Sequence, residues 1–167
     1  MLEGLNGHYR TDKNTGHSYG PVYERLLGHR RDTVTAVLEI GIFLGDSLRM
    51  WRDYFPNAQI VGIDNRPRWQ VNETRITSVL GSQVDPATLR TAGEMGPFDL
   101  IVDDGSHKAS HQALSLLWLW QYVAPGGVYV IEDLQEPQKW IDLFPCAVVD
   151  LRDVQGIYDD ALLVLEK

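Results

Sequence analysis

Short runs of β-branched and aliphatic residues alternate with stretches of helical spacing along most of the chain. The pattern predicts strands over residues 34–40, 59–63, 75–79, 98–102, 128–132, 146–150 and 161–165. Helices are predicted over 46–54, in a short piece near Trp69, and over 86–92 and 110–123. Near-continuous apolar strands joined by long crossovers indicate a parallel sheet covered on both faces. The last two strands are separated by only ten residues, with VQG among them, which suits an antiparallel hairpin. The expected fold is therefore α/β, a doubly wound seven-stranded sheet, mostly parallel with one antiparallel strand.

The helix over 110–123 is apolar nearly all round. Ala113, Leu114 and Leu117 take one face, and Leu116, Leu119 and Trp120 another. Such a helix needs two burial partners. The sheet is one. The other is either a second subunit, giving a homo-oligomer through Trp118 and Trp120, or simply a wide core face with one indole partly exposed.

Composition narrows the function classes. A chain of 167 residues reads as one domain over 1–167, with residues 1–30 as an N-terminal cap segment. The single cysteine, Cys146, excludes an internal disulfide framework and a cysteine-based zinc site. No apolar run reaches the ~20 residues of a membrane span, and the polar N-terminus is no signal peptide. With 15 basic and 23 acidic residues the net charge is −8, which repels phosphate backbones. A cytoplasmic domain with neither nucleic-acid nor membrane partners is expected.

The first strand runs into VLEIGIFLGDSL, where Glu39, Gly41 and Gly45 precede a helix. Glycine lets backbone approach a ligand closely. The dinucleotide pattern GxGxxG is absent, since Phe43 and Leu44 fill the middle; on its own the loop is equally a plain tight turn. The second strand ends in VGID, placing Asp64 where an acid can accept from both hydroxyls of a ribose. The pair indicates a ribose-bearing ligand without a diphosphate, and S-adenosylmethionine fits better than NAD. Ser82 and Gln83, after the third strand, lie along the same edge and are candidates to touch the adenine.

FDLIVDDGSHKASH ends the fourth strand at Asp103 and Asp104, with His107 and His111 following. YVIEDL ends the fifth at Glu132 and Asp133. If those strands are neighbours, about 4.8 Å apart, their acids converge beside the ligand crevice. Crowded carboxylates repel unless a cation or protons intervene, and oxygen ligands favour a hard ion, Mg2+ or Ca2+. Such an ion could hold two vicinal hydroxyls, and His107 could remove a proton from one. Asp-Gly is also an ordinary turn signal, and His111, a turn into the helix, could merely support its neighbour.

With these residues the chain resembles the class I S-adenosylmethionine-dependent methyltransferases. Within them it is similar to the metal-dependent sugar O-methyltransferases of macrolides and other glycosylated natural products, a group that includes cephalosporin hydroxylase-like proteins. The resemblance rests on TDKNTGHSYGPVYERLL, VLEIGIFLGDSLRMW, VGID, VDDGSH and PGGVYVIEDL, spanning residues 11–134. It implies the strand order 3-2-1-4-5-7-6, metal ligation by Asp104, Glu132 and Asp133, and His107 as base. It also implies donor binding by Glu39, Gly41, Gly45 and Asp64, with Asp103 at the crevice floor. Many members carry a further N-terminal domain or insertions over the acceptor, so the acceptor side here is expected to be open or completed by a second subunit. Residues 11–23 are either a lid on the donor or a helical cap over the sheet. The acceptor is a sugar or glycoside hydroxyl. A catechol-like phenol and a non-catalytic scaffold subunit are the alternatives.

Overall fold

The computed structural model describes residues 8–13, 15–141 and 146–167. Seven strands form one sheet: β1 (Ala36–Ile40), β2 (Gln59–Asp64), β3 (Ile76–Leu80), β4 (Phe98–Asp103), β5 (Val123–Ile131), β6 (Ala147–Asp150) and β7 (Ala161–Glu166). Their order is β3-β2-β1-β4-β5-β7-β6, as the resemblance implied. β1 to β5 pair in parallel, and β7 runs antiparallel to both β5 and β6, so it is the one reversed strand. The order turns back between β1 and β4, where open sheets of this kind form a ligand crevice.

Strand phase decides which residues meet. Val37, Val102 and Val130 point to one face, joined by Tyr23 and Leu27 of α1 (Gly20–Leu27) and by Leu48 and Trp51 of α2 (Asp46–Tyr54). Leu38, Ile101 and Ile131 point to the other, packed under Leu89 of α3 (Pro86–Gly93) and Leu116 and Leu119 of α4 (Ala109–Leu119). All six strand residues are essentially unexposed. Full burial of such side chains contributes about 1.5–3 kcal/mol each. Extending the alternation by one step puts Glu39, Asp104 and Glu132 on the α1/α2 side and Asp103 on the α4 side.

Two boundaries differ from the pattern. The helix predicted over 110–123 is α4, then a single 3-10 turn at Trp120–Tyr122, and Val123 already begins β5. Val123 pairs with Phe98 before the register shifts, and Gly126 carries a positive φ of 73°. The apolar run therefore belongs to two elements, α4 and the start of β5, joined by the turn at Trp120–Tyr122, and the irregular stretch of β5 across Ala124–Gly127 hides that start from periodicity. Trp118 and Trp120 are half-buried against the α4-side core, and Leu117 is 78% exposed. Between β6 and β7 lies one helical turn, α6 (Arg152–Gln155); α5 (Gln138–Ile141) precedes β6. Within the cap predicted over 1–30, residues 1–7 and 14 lie outside the described residues. No helix among the described residues is long and apolar enough to cross a membrane.

Candidate active site

Gly41 leaves β1 at φ 97°, and a Cβ there would sit 2.1 Å from the Asp104 carbonyl oxygen. Only glycine permits this close approach of the β1 and β4 ends. Gly45, at φ 79°, starts α2. Between them the Ile42 and Phe43 N–H groups donate to Asp64 Oδ2 at 3.0 and 3.3 Å, and the Arg66 N–H donates to Asp64 Oδ1 at 2.8 Å. Asp64 therefore ties the glycine loop to the end of β2.

Two cavities meet along this edge. One, about 390 Å³, is lined by Gly41, Phe43, Asp64, Trp69, Asp104 and His107. The next, about 360 Å³, shares Gly41, Asp64 and Trp69 and adds Ser82, Gln83 and His111. Together they make a crevice over the carboxyl ends of β1, β2 and β4. A third, about 400 Å³, lies across His107 and is lined by Gln112, Leu134 and Trp140 among others. His107 stands between the crevice and that third space.

Asp103 and Glu39, both expected at the donor, line none of these cavities. Asp103 is wholly buried and accepts from the Ser115 hydroxyl, from Gln83 Nε2 at 3.1 Å and from the Gly105 N–H at 3.3 Å. Gln83 Oε1 in turn accepts from the Ser106 N–H at 2.7 Å. Asp103 thus anchors the DGSH turn from below, and burial pushes its carboxyl up to about 6. Ser115→Ala leaves this buried acid short of a donor and should destabilise the fold by about 1–3 kcal/mol. The check is a lowered urea midpoint at unchanged slope.

The other acids meet a residue that the pattern of the sequence did not single out. Lys13, only 1% exposed, places Nζ 2.6 Å from Asp104 Oδ2, 2.5 Å from Glu132 Oε2 and 3.1 Å from Glu39 Oε1. Burial opposes its charge, but the three carboxylates outweigh that and hold it firmly as an ammonium. Tyr23 donates to Glu132 Oε1 at 2.5 Å, and Tyr19 donates to Asp133 Oδ1 at 2.7 Å. His17 lies 3.7 Å from the same Asp133 oxygen. Residues 11–23 thus reach both the crevice and the sheet. Thr11 and Asp12 line the first cavity, while Tyr19 and Tyr23 cap the sheet.

His107 and Asp133 both adopt left-handed backbone, at φ 55° and 56°. His107 bridges two acids, with Nε2 3.4 Å from Asp104 Oδ1 and Nδ1 3.2 Å from Asp133 Oδ2. Its hydrogen bond to Asp104, reinforced by the Asp133 charge, raises its pKa to about 9 against the cost of burial. Asp104, Asp133 and His107 bring one ligand atom each within 4.8 Å of one another. Glu132 adjoins them, with one oxygen on Lys13 and the other on Tyr23. His111 stands apart, its Nδ1 2.8 Å from Ser106 Oγ.

A methyltransferase domain family matches residues 38–134. Over 142 residues, 80% of this chain, it is 44% identical to the 8-demethyl-8-(2-methoxy-alpha-L-rhamnosyl)-tetracenomycin-C 3'-O-methyltransferase of Streptomyces olivaceus. It is 42% identical over the same length to the demethylmacrocin O-methyltransferase of Streptomyces fradiae. Among solved structures, the MycE methyltransferase of mycinamycin biosynthesis, in complex with Mg, SAH and mycinamycin VI, matches at a TM-score of 0.73 and 40% identity over 79% of this chain. The chain spans 36% of the length of each of these proteins. The match runs from β1 through Leu134, taking in the glycine loop, Asp64, the DGSH turn and both β5 acids, and the chain belongs to the methyltransferase domain family.

Proposed function

We propose that the chain carries the donor and metal sites of an S-adenosylmethionine-dependent O-methyltransferase whose acceptor is a hydroxyl of a sugar or glycosylated natural product. The observation that carries this reading is His107, set between Asp104 and Asp133 where the crevice meets the third cavity. The relatives named above are O-methyltransferases, one of a rhamnosyl-tetracenomycin and one of demethylmacrocin, and the neighbouring structure holds Mg, SAH and mycinamycin VI. S-adenosylmethionine supplies an electrophilic methyl group when bound, and Mg2+ or another hard divalent ion supplies a Lewis acid for the acceptor oxygen.

Gly41, Gly45 and Asp64 shape the crevice for the donor's amino-acid and ribose parts, and Ser82 and Gln83 border its far end. Glu39 and Asp103 support that crevice from beneath. Asp104, Glu132 and Asp133 are the proposed metal ligands; Asp104 and Asp133 each turn one oxygen away from Lys13, whereas Glu132 reaches an ion only by exchanging Lys13 or Tyr23 for it. The hard oxygen set fits a hard ion. Lys13 already offsets part of the repulsion at Asp104 and Glu132, and Asp104 Oδ1 and Asp133 Oδ2 are the oxygens left to draw a further cation. His107 is the proposed base. The charges on Asp104 and Asp133 keep it protonated, so neutralising them returns its pKa toward the ordinary 6.5, where imidazole accepts a proton. The end of α4 at Trp118 and the turn at Trp120 are the proposed contact between copies, and a cytoplasmic location is proposed with the biosynthetic role.

Asp64→Ala removes the acceptor of three loop N–H groups and should weaken SAH binding about tenfold or more, as loss of charge-assisted hydrogen bonds does. Calorimetric titration of the variant measures it, and wild-type affinity would remove Asp64 from the donor site. The activity itself is tested with methyl-labelled S-adenosylmethionine, Mg2+ and a panel of glycosides and catechols. Label in a glycoside is the expected result. Label in catechols alone would replace the sugar acceptor with a phenol.

A further inference from the structure

Three of the site's carboxylates share one buried ammonium. Glu39, Asp104 and Glu132 end three adjacent strands, β1, β4 and β5, and in each case strand phase turns the side chain toward the α1/α2 face. Lys13 enters there from the segment before α1 and lies within 2.5–3.1 Å of all three. At 1% exposure it lines none of the three cavities, and its charged contacts are with these acids.

We propose that Lys13 is a positioning residue that fixes Glu132 and one oxygen of Asp104 and, as a resident positive charge, limits how tightly the cluster holds a divalent cation. The inference rests on the metal site proposed above. Lys13 takes Asp104 Oδ2 and Glu132 Oε2, and Tyr23 takes Glu132 Oε1. Asp104 Oδ1 and Asp133 Oδ2 are left facing His107. A cation seated on these acids has the ammonium behind it, and like charges repel strongly where water is excluded. The two positive charges divide the same carboxylates. Without Lys13 the acids would grip the ion hard; with it they stay ordered and the ion stays exchangeable.

The test is Mn2+ binding to the donor-free protein, followed by electron paramagnetic resonance with Mg2+ as competitor, alongside SAH titration of the same samples. Lys13→Met keeps the length of the side chain and removes its charge. It should bind Mn2+ about tenfold or more tighter than wild type. SAH affinity should change little, since Lys13 lies outside the crevice. Equal or weaker Mn2+ binding in a variant that still binds SAH overturns the inference. Should Lys13→Met not fold, Glu39→Gln serves. It withdraws one carboxylate from Lys13, leaves more of the ammonium's charge on Asp104 and Glu132, and should weaken Mn2+ binding several-fold. Unchanged or tighter binding overturns the inference. Binding in Lys13→Met but not in wild type supports it. Binding in neither, with SAH still bound, removes the metal site and this inference together.

Discussion

Asp104→Asn lowers methyl transfer by about 10³-fold while leaving SAH affinity largely unchanged; that is the expected result, because a Lewis acid contributes several kcal/mol to such a step. Asparagine preserves volume but removes the charge shared among Lys13, His107 and the proposed ion. Asp104 ends β4 with one oxygen toward each side of the cluster, so no neighbour replaces it. The crevice survives, because its shape comes from Gly41, Gly45 and the N–H groups gathered by Asp64. The same division predicts that chelating the divalent ion stops turnover of the wild-type protein without releasing SAH. Steady-state rates and titration calorimetry on one preparation separate the two effects. SAH affinity falling in step with turnover would show that donor and metal sites are not distinct.

His107→Ala should cost about 10²–10⁴ in kcat, the range for a positioned general base. The side chain lies between the crevice and the third cavity, one-third exposed, with Nε2 3.4 Å from Asp104 and Nδ1 3.2 Å from Asp133. Removing it also leaves Asp104 and Asp133 facing each other without a cation between them. The ion should bind no more weakly in the variant, and turnover should still fall. A loss below tenfold would make His107 a spacer between carboxylates, not a base. His111→Ala is the comparison. Its ring contacts Ser106 on the far side of the turn, away from the acid cluster.

The strands were legible because each carries a continuous apolar run, and the long crossovers gave their parallel direction; their order, and with it the pairing of β4 with β5, came only through the family resemblance. The acids at their ends were legible for the same reason. What the residue types concealed was their direction. Asp103 and Asp104 are neighbours in the chain but lie on opposite faces of the sheet, one under Ser115 and the other against Lys13. Continuing the alternation of Ile101 and Val102 by two residues reveals that split. Lys13 was harder to see. A lone lysine in a polar segment resembles any solvated charge, and only tertiary packing buries it. Tyr19 and Tyr23, four residues apart, were the available sign that one face of this segment meets something buried. Their targets, Asp133 and Glu132, are more than a hundred residues away, beyond any local pattern.

The measurement that bears most directly on the account is isothermal titration of SAH into the purified protein with Mg2+ present. Saturable binding at one site per chain is the predicted result, and it would establish the crevice over β1, β2 and β4 as the donor site. An absence of heat at two temperatures, so that no accidental zero of enthalpy hides binding, would contradict it. The glycine loop would then be only a turn, and the acid cluster a site without a methyl donor.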